Sequence, residues 1–246
     1  MLRLIDISLH NRLSGVSVSA EAGQVIHVLG ANGAGKSSLL SVLSGLAPFD
    51  RGTIEFHQQS IKGFSLQQLG SFRCLQEQQQ STVFPITVQE SLAFFAPHGA
   101  FPELLEQALE IKPFMARKLN ELSGGENRRV QIARALWQIW PAIESGQGLI
   151  LLDEPVQGLD FRHQHLLFTL LQRVAQKGNV VIVNHHDLNL CQQYAHRVWL
   201  MKNGELVLQG SVQEALQDEA LVSVFDCEIR SIIDQQGNKL FQSYLA

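Results

Sequence analysis

Apolar and polar residues alternate at the start of the chain, with Leu2, Leu4, Ile7 and Leu9 followed by Val16 and Val18. A period of two predicts half-buried antiparallel strands. After Gly23 the spacing closes into the run Gln24-Val25-Ile26-His27-Val28-Leu29, a strand that leads straight into glycines. Beyond them, Leu39, Leu40 and Leu43 share one helical face, and Gly45 supplies a C-terminal stop. The chain therefore reads as strand, glycine turn, helix.

From about Ser65 to Leu122 no strand pattern is visible and glutamines crowd at Gln76, Gln78, Gln79 and Gln80. Thr87 with Glu90 reads as a capping box that opens a helix through Phe95, and Pro102 to Ile111 reads as another helix. An α/β rhythm then resumes with strand Leu149–Leu152, helix Arg162–Gln176, strand Val180–Val183 and helix Asp187–Tyr194. Short apolar runs separated by amphipathic helices predict parallel strands covered on both faces. A turn at Gln236-Gly237-Asn238 suggests a small hairpin over about 228–244. We expect one α/β domain over 1–246, with a mostly parallel sheet, N-terminal antiparallel strands and a helical insertion at about 65–128.

Composition changes this picture little. The 246 residues are 45% hydrophobic and 17% charged, enough to bury a substantial core. A net charge of −4 gives no general electrostatic reason to expect nucleic acid as a partner. Cys74, Cys191 and Cys227 are odd in number and far apart, which resembles neither a disulfide framework nor a zinc site and fits a reducing cytosol. Asp6 interrupts the N-terminal apolar pattern early, and no run approaches the length of a membrane span, so neither a secretion signal nor a transmembrane helix is expected.

The glycine turn carries the first chemistry. Gly30-Ala31-Asn32-Gly33-Ala34-Gly35-Lys36-Ser37 matches G-x-x-x-x-G-K-S, in which backbone N–H groups wrap around phosphate oxygens. Lys36 adds a point charge at the β- and γ-phosphates, Ser37 offers a hydroxyl to Mg2+, and the following helix directs its positive end at the same anion. A glycine turn with a surface lysine is the bland alternative, but a chance match is on the order of one in a hundred. The run Gly148 to Pro155 is a strand ending in two acids, at the carboxyl edge where open parallel sheets bind ligands. Asp153 is placed for the Mg2+ shell, and Glu154 for the general base that positions the attacking water. Alone, the pair could simply be an acidic turn; beside a phosphate loop it reads as catalytic.

Leu122-Ser123-Gly124-Gly125-Glu126 opens another helix. Ser123 and Glu126 make an ordinary capping box, yet a cap does not require two glycines. Gly124 and Gly125 would let this second helix end approach a phosphate as well. One chain thus carries two half-sites, which a twofold dimer would combine, each copy's serine-glycine turn closing on nucleotide held by the other.

With these motifs the chain resembles the ATP-binding subunits of ABC transporters, whose signature is Leu-Ser-Gly-Gly-Glu, over essentially its whole length. The resemblance implies a P-loop NTPase core, ATP and Mg2+ as cofactors, and further site residues. Gln78 stands at the position of the glutamine that touches Mg2+ and water and relays to the membrane partner, with Gln76 the competing assignment. Gly158-Leu159-Asp160 matches the D-loop, and His186 matches the switch histidine at the γ-phosphate. The pair His185-His186 could suggest a metal, but it lacks a third ligand. Two departures stand out. No aromatic residue in Leu9 to Leu13 is available to stack on adenine, leaving His10 or Arg12 for that task, and Arg128-Arg129 replaces the family's usual Gln-Arg.

Within the family, Asp187-Leu188-Asn189 and the spacing from Gln138 to Gly148 look like the subunits that power bacterial vitamin B12 import. That likeness implies two copies beneath two transmembrane permease subunits, peripheral on the cytoplasmic face of the inner membrane, with a periplasmic binding protein acting indirectly. Related systems carry iron-siderophore and haem complexes. Of the rival classes, a soluble ABC ATPase acting on nucleic acid or ribosomes usually has paired cassettes or basic extensions. A sensor that binds without hydrolysing would have no use for both Asp153 and Glu154.

Overall fold

The computed structural model describes residues 2–77, 85–94, 99–233, 235 and 239–244. The opening alternation forms β1 (Leu2–Leu9) and β2 (Leu13–Ala20), antiparallel with Leu4 opposite Val18 and Ile7 opposite Val16. These residues are buried while Arg3, Ser17 and Ser19 face solvent, as the period of two requires. Next come β3 (Val25–Leu29), α1 (Lys36–Leu43), β4 (Arg51–Phe56) and β5 (Gln59–Ser60); the last two join the N-terminal pair in a sheet of order β2-β1-β4-β5.

The main sheet is built from β3, β6 (Arg73–Gln76), β7 (Leu149–Asp153), β8 (Val180–Asn184), β9 (Arg197–Lys202) and β10 (Glu205–Gly210), in the order β10-β9-β3-β8-β7-β6. All neighbours are parallel except the β9–β10 pair. Every residue of β3, β7 and β8 is buried, which is why these strands are apolar throughout apart from His27, Asp153 and Asn184. The strand β6 corrects the expectation that 65–122 lacks strands. Arg73 and Gln76 break its apolar pattern, and its extended form is set by pairing with Leu149 to Leu152 of β7.

The helix α2 (Leu66–Phe72), opened by a Ser65–Gln68 capping box, precedes β6. After it come α3 (Val88–Ala93), α4 (Glu103–Leu109), α5 (Gly124–Gln138) and α6 (Trp140–Glu144). The Thr87–Glu90 capping box forms as expected. Then follow α7 (Phe161–Gln176), α8 (Leu188–Tyr194), α9 (Val212–Ala215) and α10 (Asp218–Phe225), and the hairpin β11 (Glu228–Ile233) with β12 (Lys239–Tyr244). The turn read at Gln236-Gly237-Asn238 lies outside the described residues.

Successive residues of the central strands serve opposite cores. Ile150, Leu152, Val181 and Val183 pack with α5 and α7 residues such as Val130, Ala133, Leu167 and Phe168. Leu149, Leu151, Val180 and Ile182 pack with Leu39, Leu40 and Leu43 of α1 and with Leu4 and Val18 of the N-terminal sheet. A third cluster joins Leu200, Cys191, Leu221, Ile229 and Phe241, seating the C-terminal hairpin, and Phe241 N–H donates to Asn189 Oδ1 at 2.9 Å. The carboxyl ends of β3, β7 and β8 consequently open on one edge, between the two packed layers.

Candidate functional site

The Gly30–Ser37 loop wraps the carboxyl end of β3. A Cβ on Gly30 would lie 2.3 Å from the Met201 carbonyl oxygen of β9, so only glycine lets the loop leave the sheet here. Gly35 (φ 97°) precedes α1, and no side chain caps that helix, which leaves its first N–H groups free. Lys36 is buried, its Nζ donating to the carbonyl oxygens of Gly30 at 2.7 Å and Ala31 at 3.0 Å. Burial lowers its pKa below that of an ordinary lysine, while the charges of Glu154 and Asp153 oppose the shift. The loop residues Asn32 to Ser38, with Asn11, Arg12, Glu154 and Asn184, line a cavity of about 530 Å3. Arg12 therefore reaches this cavity; His10 does not line it.

At the end of β7, Asp153 pairs in register with Asn184 of β8, and Asn184 Nδ2 donates to Asp153 Oδ1. Glu154 takes a left-handed backbone (φ 48°), unusual outside glycine, and its N–H donates to Asn184 O at 2.9 Å. That conformation turns the Glu154 side chain to His186, whose Nδ1 lies 3.2 Å from Oε2. Glu154 walls both the loop cavity and a second one of about 440 Å3, lined also by Asn32, Val156 to Leu159 and His186. His186 is 73% exposed whereas Glu154 is 11% exposed, so an open imidazole meets a sheltered carboxylate.

Behind them sits a buried pair that has no counterpart in the sequence reading. Asp187 N–H donates to His185 Nδ1, which leaves the His185 proton on Nε2 to donate to His27 Nδ1 at 2.7 Å. Burial pushes the His185 pKa down to about 3, helped by the charges of His186 and Lys36. His27 is lowered too, by burial first and then by His185 and His196.

Ser123 caps α5 as a capping box: its Oγ accepts from Glu126 N–H at 3.3 Å, and Ser123 N–H donates to Glu126 Oε2 at 2.8 Å. Its two glycines differ. A Cβ on Gly125 would stand 2.6 Å from the Gly158 carbonyl oxygen, whereas one on Gly124 would meet nothing within 4 Å. Ser123, Gly124 and Gly125 line neither cavity. Asp160 caps α7 by accepting from the N–H and the ring of His163, which lowers its pKa, and it too lines neither. Gln78 lies outside the described residues. Gln76 is buried at the end of β6, opposite Leu152. Arg128 donates to Glu77 O at 3.1 Å; burial lowers its pKa, with Asp153 and Glu154 pulling the other way.

A strand, a glycine loop and an uncapped helix, with two acids at the end of a neighbouring parallel strand, define a nucleotide-binding protein of the phosphate-loop class. The chain belongs to the ABC transporter family, whose profile matches residues 13–157. It is the ATP-binding, ATP-hydrolysing type of subunit that couples hydrolysis to transport. It is 37% identical over 251 residues to the vitamin B12 import ATP-binding protein BtuD of Vibrio atlanticus (strain LGP32), covering 98% of this chain and 100% of the relative. In fold it is similar to a metal-chelate type ABC transporter in an inward-facing conformation, with TM-score 0.78, 23% identity and coverage of 99% and 96%. It is also similar to the dimeric post-hydrolysis cassette MJ0796 bound to ADP and Pi, with TM-score 0.72, 23% identity and coverage of 86% and 99%.

Proposed function

We propose that the chain binds ATP with Mg2+ at the Gly30–Ser37 loop, hydrolyses it with Glu154 as general base, and uses the cycle to drive vitamin B12 import. The hydrolytic reading rests on one observation above all: Lys36 and Glu154 wall the same cavity, and Glu154 is held 3.2 Å from His186. The loop N–H groups and the free donors of α1 receive the phosphates, and Lys36 leaves the Gly30 and Ala31 carbonyls for the β- and γ-phosphates. Glu154 orients the attacking water and accepts its proton as the γ-phosphoryl group transfers. His186 contacts the γ-phosphate while its Nδ1 stays with Glu154.

Hard oxygen donors suit Mg2+. The Ser37 hydroxyl and the Asp153 carboxylate would hold it with nucleotide oxygens and waters, and Gln78 would join from the loop after β6. No group of three or more His, Cys, Asp or Glu side chains forms a metal cage among the described residues. When bound, Mg2+ neutralises charge on the phosphates and the leaving group.

Each copy needs a second. Ser123, Gly124 and Gly125 of one copy close over nucleotide on the other, with Asp160 contributing across the same interface. Two copies sit beneath two permease subunits on the cytoplasmic face of the inner membrane, and a periplasmic binding protein delivers the cargo. No helix among the described residues is long and apolar enough to cross a membrane. The cargo is tested by expressing this chain in a bacterium that keeps its vitamin B12, haem and ferric-siderophore permeases but lacks their ATP-binding subunits. Restored uptake of labelled cobalamin supports the reading, while uptake of haem or a ferric siderophore without cobalamin overturns the cargo.

A further inference from the structure

We infer that Asn184 is a further residue of the nucleotide site, its side-chain carbonyl accepting a hydrogen bond from the hydration shell of Mg2+ bound with ATP while its amide nitrogen holds Asp153. The inference rests on the ATP and Mg2+ reading above. Asn184 ends β8 directly opposite Asp153. Its Nδ2 donates to Asp153 Oδ1 and its backbone carbonyl accepts from Glu154 N–H at 2.9 Å, so one residue holds both acids.

The orientation of the amide follows from chemistry. An ionised carboxylate only accepts, so the nitrogen must face Asp153 and the carbonyl oxygen must face elsewhere. That oxygen is buried in a residue only 1% exposed and has no hydrogen-bond partner among the described residues. Leaving a buried amide oxygen unpartnered is unfavourable, and β8 is otherwise the apolar run Val180 to Val183, which a valine or leucine would simply continue. Asn184 lines the same cavity as Lys36 and Ser37, but Lys36 already gives its Nζ to the Gly30 and Ala31 carbonyls. A donor brought by the ligand is therefore the fitting partner. Mg2+ dehydrates reluctantly and keeps several waters, each a strong donor, and protein acceptors next to a ligating carboxylate orient such a shell.

The test is equilibrium binding of a fluorescent trinitrophenyl analogue of ATP to the purified full chain, with Mg2+ and with EDTA. Asn184→Leu removes both polar ends while keeping the branched shape and the number of heavy atoms. The gain in affinity on adding Mg2+, taken for each variant against its own binding in EDTA, should shrink about tenfold, the low end for loss of an outer-shell partner. An unchanged gain in the folded Leu variant overturns the inference. Should the Leu variant not fold, Asn184→Ser removes the amide while keeping a small polar side chain, and its Mg2+ gain should also shrink about tenfold. An undiminished gain in the Ser variant overturns the inference. Lys36→Ala in the same assay separates the two readings. If it binds as tightly as the unmodified chain, the nucleotide reading itself fails; if it loses binding while Asn184→Leu keeps the gain, only the role of Asn184 fails.

Discussion

Two helix N-termini in this molecule sit behind glycine-bearing turns, and they treat their free backbone N–H groups in opposite ways. At α1 no side chain caps the helix, and its donors face a cavity that Lys36 and Glu154 also line. At α5 Ser123 and Glu126 cap each other's backbone, and Arg117 pairs with Glu126 at 2.9 Å. The first end has no side-chain acceptor at all; at the second the box takes up the N–H groups of Glu126 and Ser123. A capping box has no need for glycine at the first helical position, yet Gly124 stands there with open space around it. A helix end that opens on a cavity of its own copy and one whose first glycine stands in open space are therefore distinguishable within a single copy.

The comparison is broken most severely at the acid that faces the α1 cavity. Glu154→Gln preserves size and hydrogen bonding but removes the base, so ATP turnover should fall on the order of 10²–10⁴-fold with nucleotide binding retained, measured by phosphate release beside equilibrium binding. Turnover near that of the unmodified chain would remove Glu154 from the base role. Lys36→Ala takes away the charge that the free donors of α1 work with. Nucleotide affinity should drop on the order of a hundredfold, as for a lost hydrogen bond to a charged group, read by the same binding assay.

A third effect concerns the support of the phosphate loop. His27 lies on the strand that enters the loop and is tied to His185, and both are held neutral by burial. Because the folded pKa of His185, about 3, lies below the ordinary value of 6.5, the unfolded chain binds more protons between these limits. The stabilisation is complete above about pH 6.5 and is lost as pH falls toward 3. As pH falls through this window, stability against denaturant should drop by on the order of 1 kcal/mol per pH unit, and His185→Gln should flatten the slope. An unchanged slope in the variant would detach the pair from the effect.

The smallest effects separate the two glycines of α5. Gly125→Ala forces a methyl against the Gly158 carbonyl oxygen and should destabilise the fold by about 1–3 kcal/mol, visible as a lower unfolding midpoint. Gly124→Ala meets no atom within 4 Å and should change stability by no more than about 0.5 kcal/mol. If Gly124 is kept for a second copy, ATP-dependent dimerisation of Glu154→Gln should nevertheless weaken in its presence, as read by size-exclusion chromatography. Full dimerisation would place Gly124 outside the interface.

How legible each part was in the sequence follows the distance over which its interactions act. The capping boxes at Thr87 and Ser123 and the Gly30–Ser37 loop close within a few residues, so residue type and spacing reveal them. Fully apolar runs such as Leu149 to Leu152 reveal buried strands for the same reason. The strand β6 was hidden because Arg73 and Gln76 interrupt its pattern, and its form depends on β7, far along the chain. Asn184 stood in view between Val183 and His185 without a role, because nothing local shows that it faces Asp153.

The sequence by itself determined the loop, the acidic strand end, the helix caps and the alternation of apolar residues that makes the sheet. These are properties of neighbouring residues, set by backbone geometry and hydrogen bonds over one turn or one strand. Only the tertiary structure decided that Glu154 meets His186, that Asn184 holds Asp153, that His27 pairs with His185 and that Gly125, not Gly124, lies against Gly158. Each of those contacts joins segments distant in the chain, and strand order, register and packing, rather than local preference, bring them within reach.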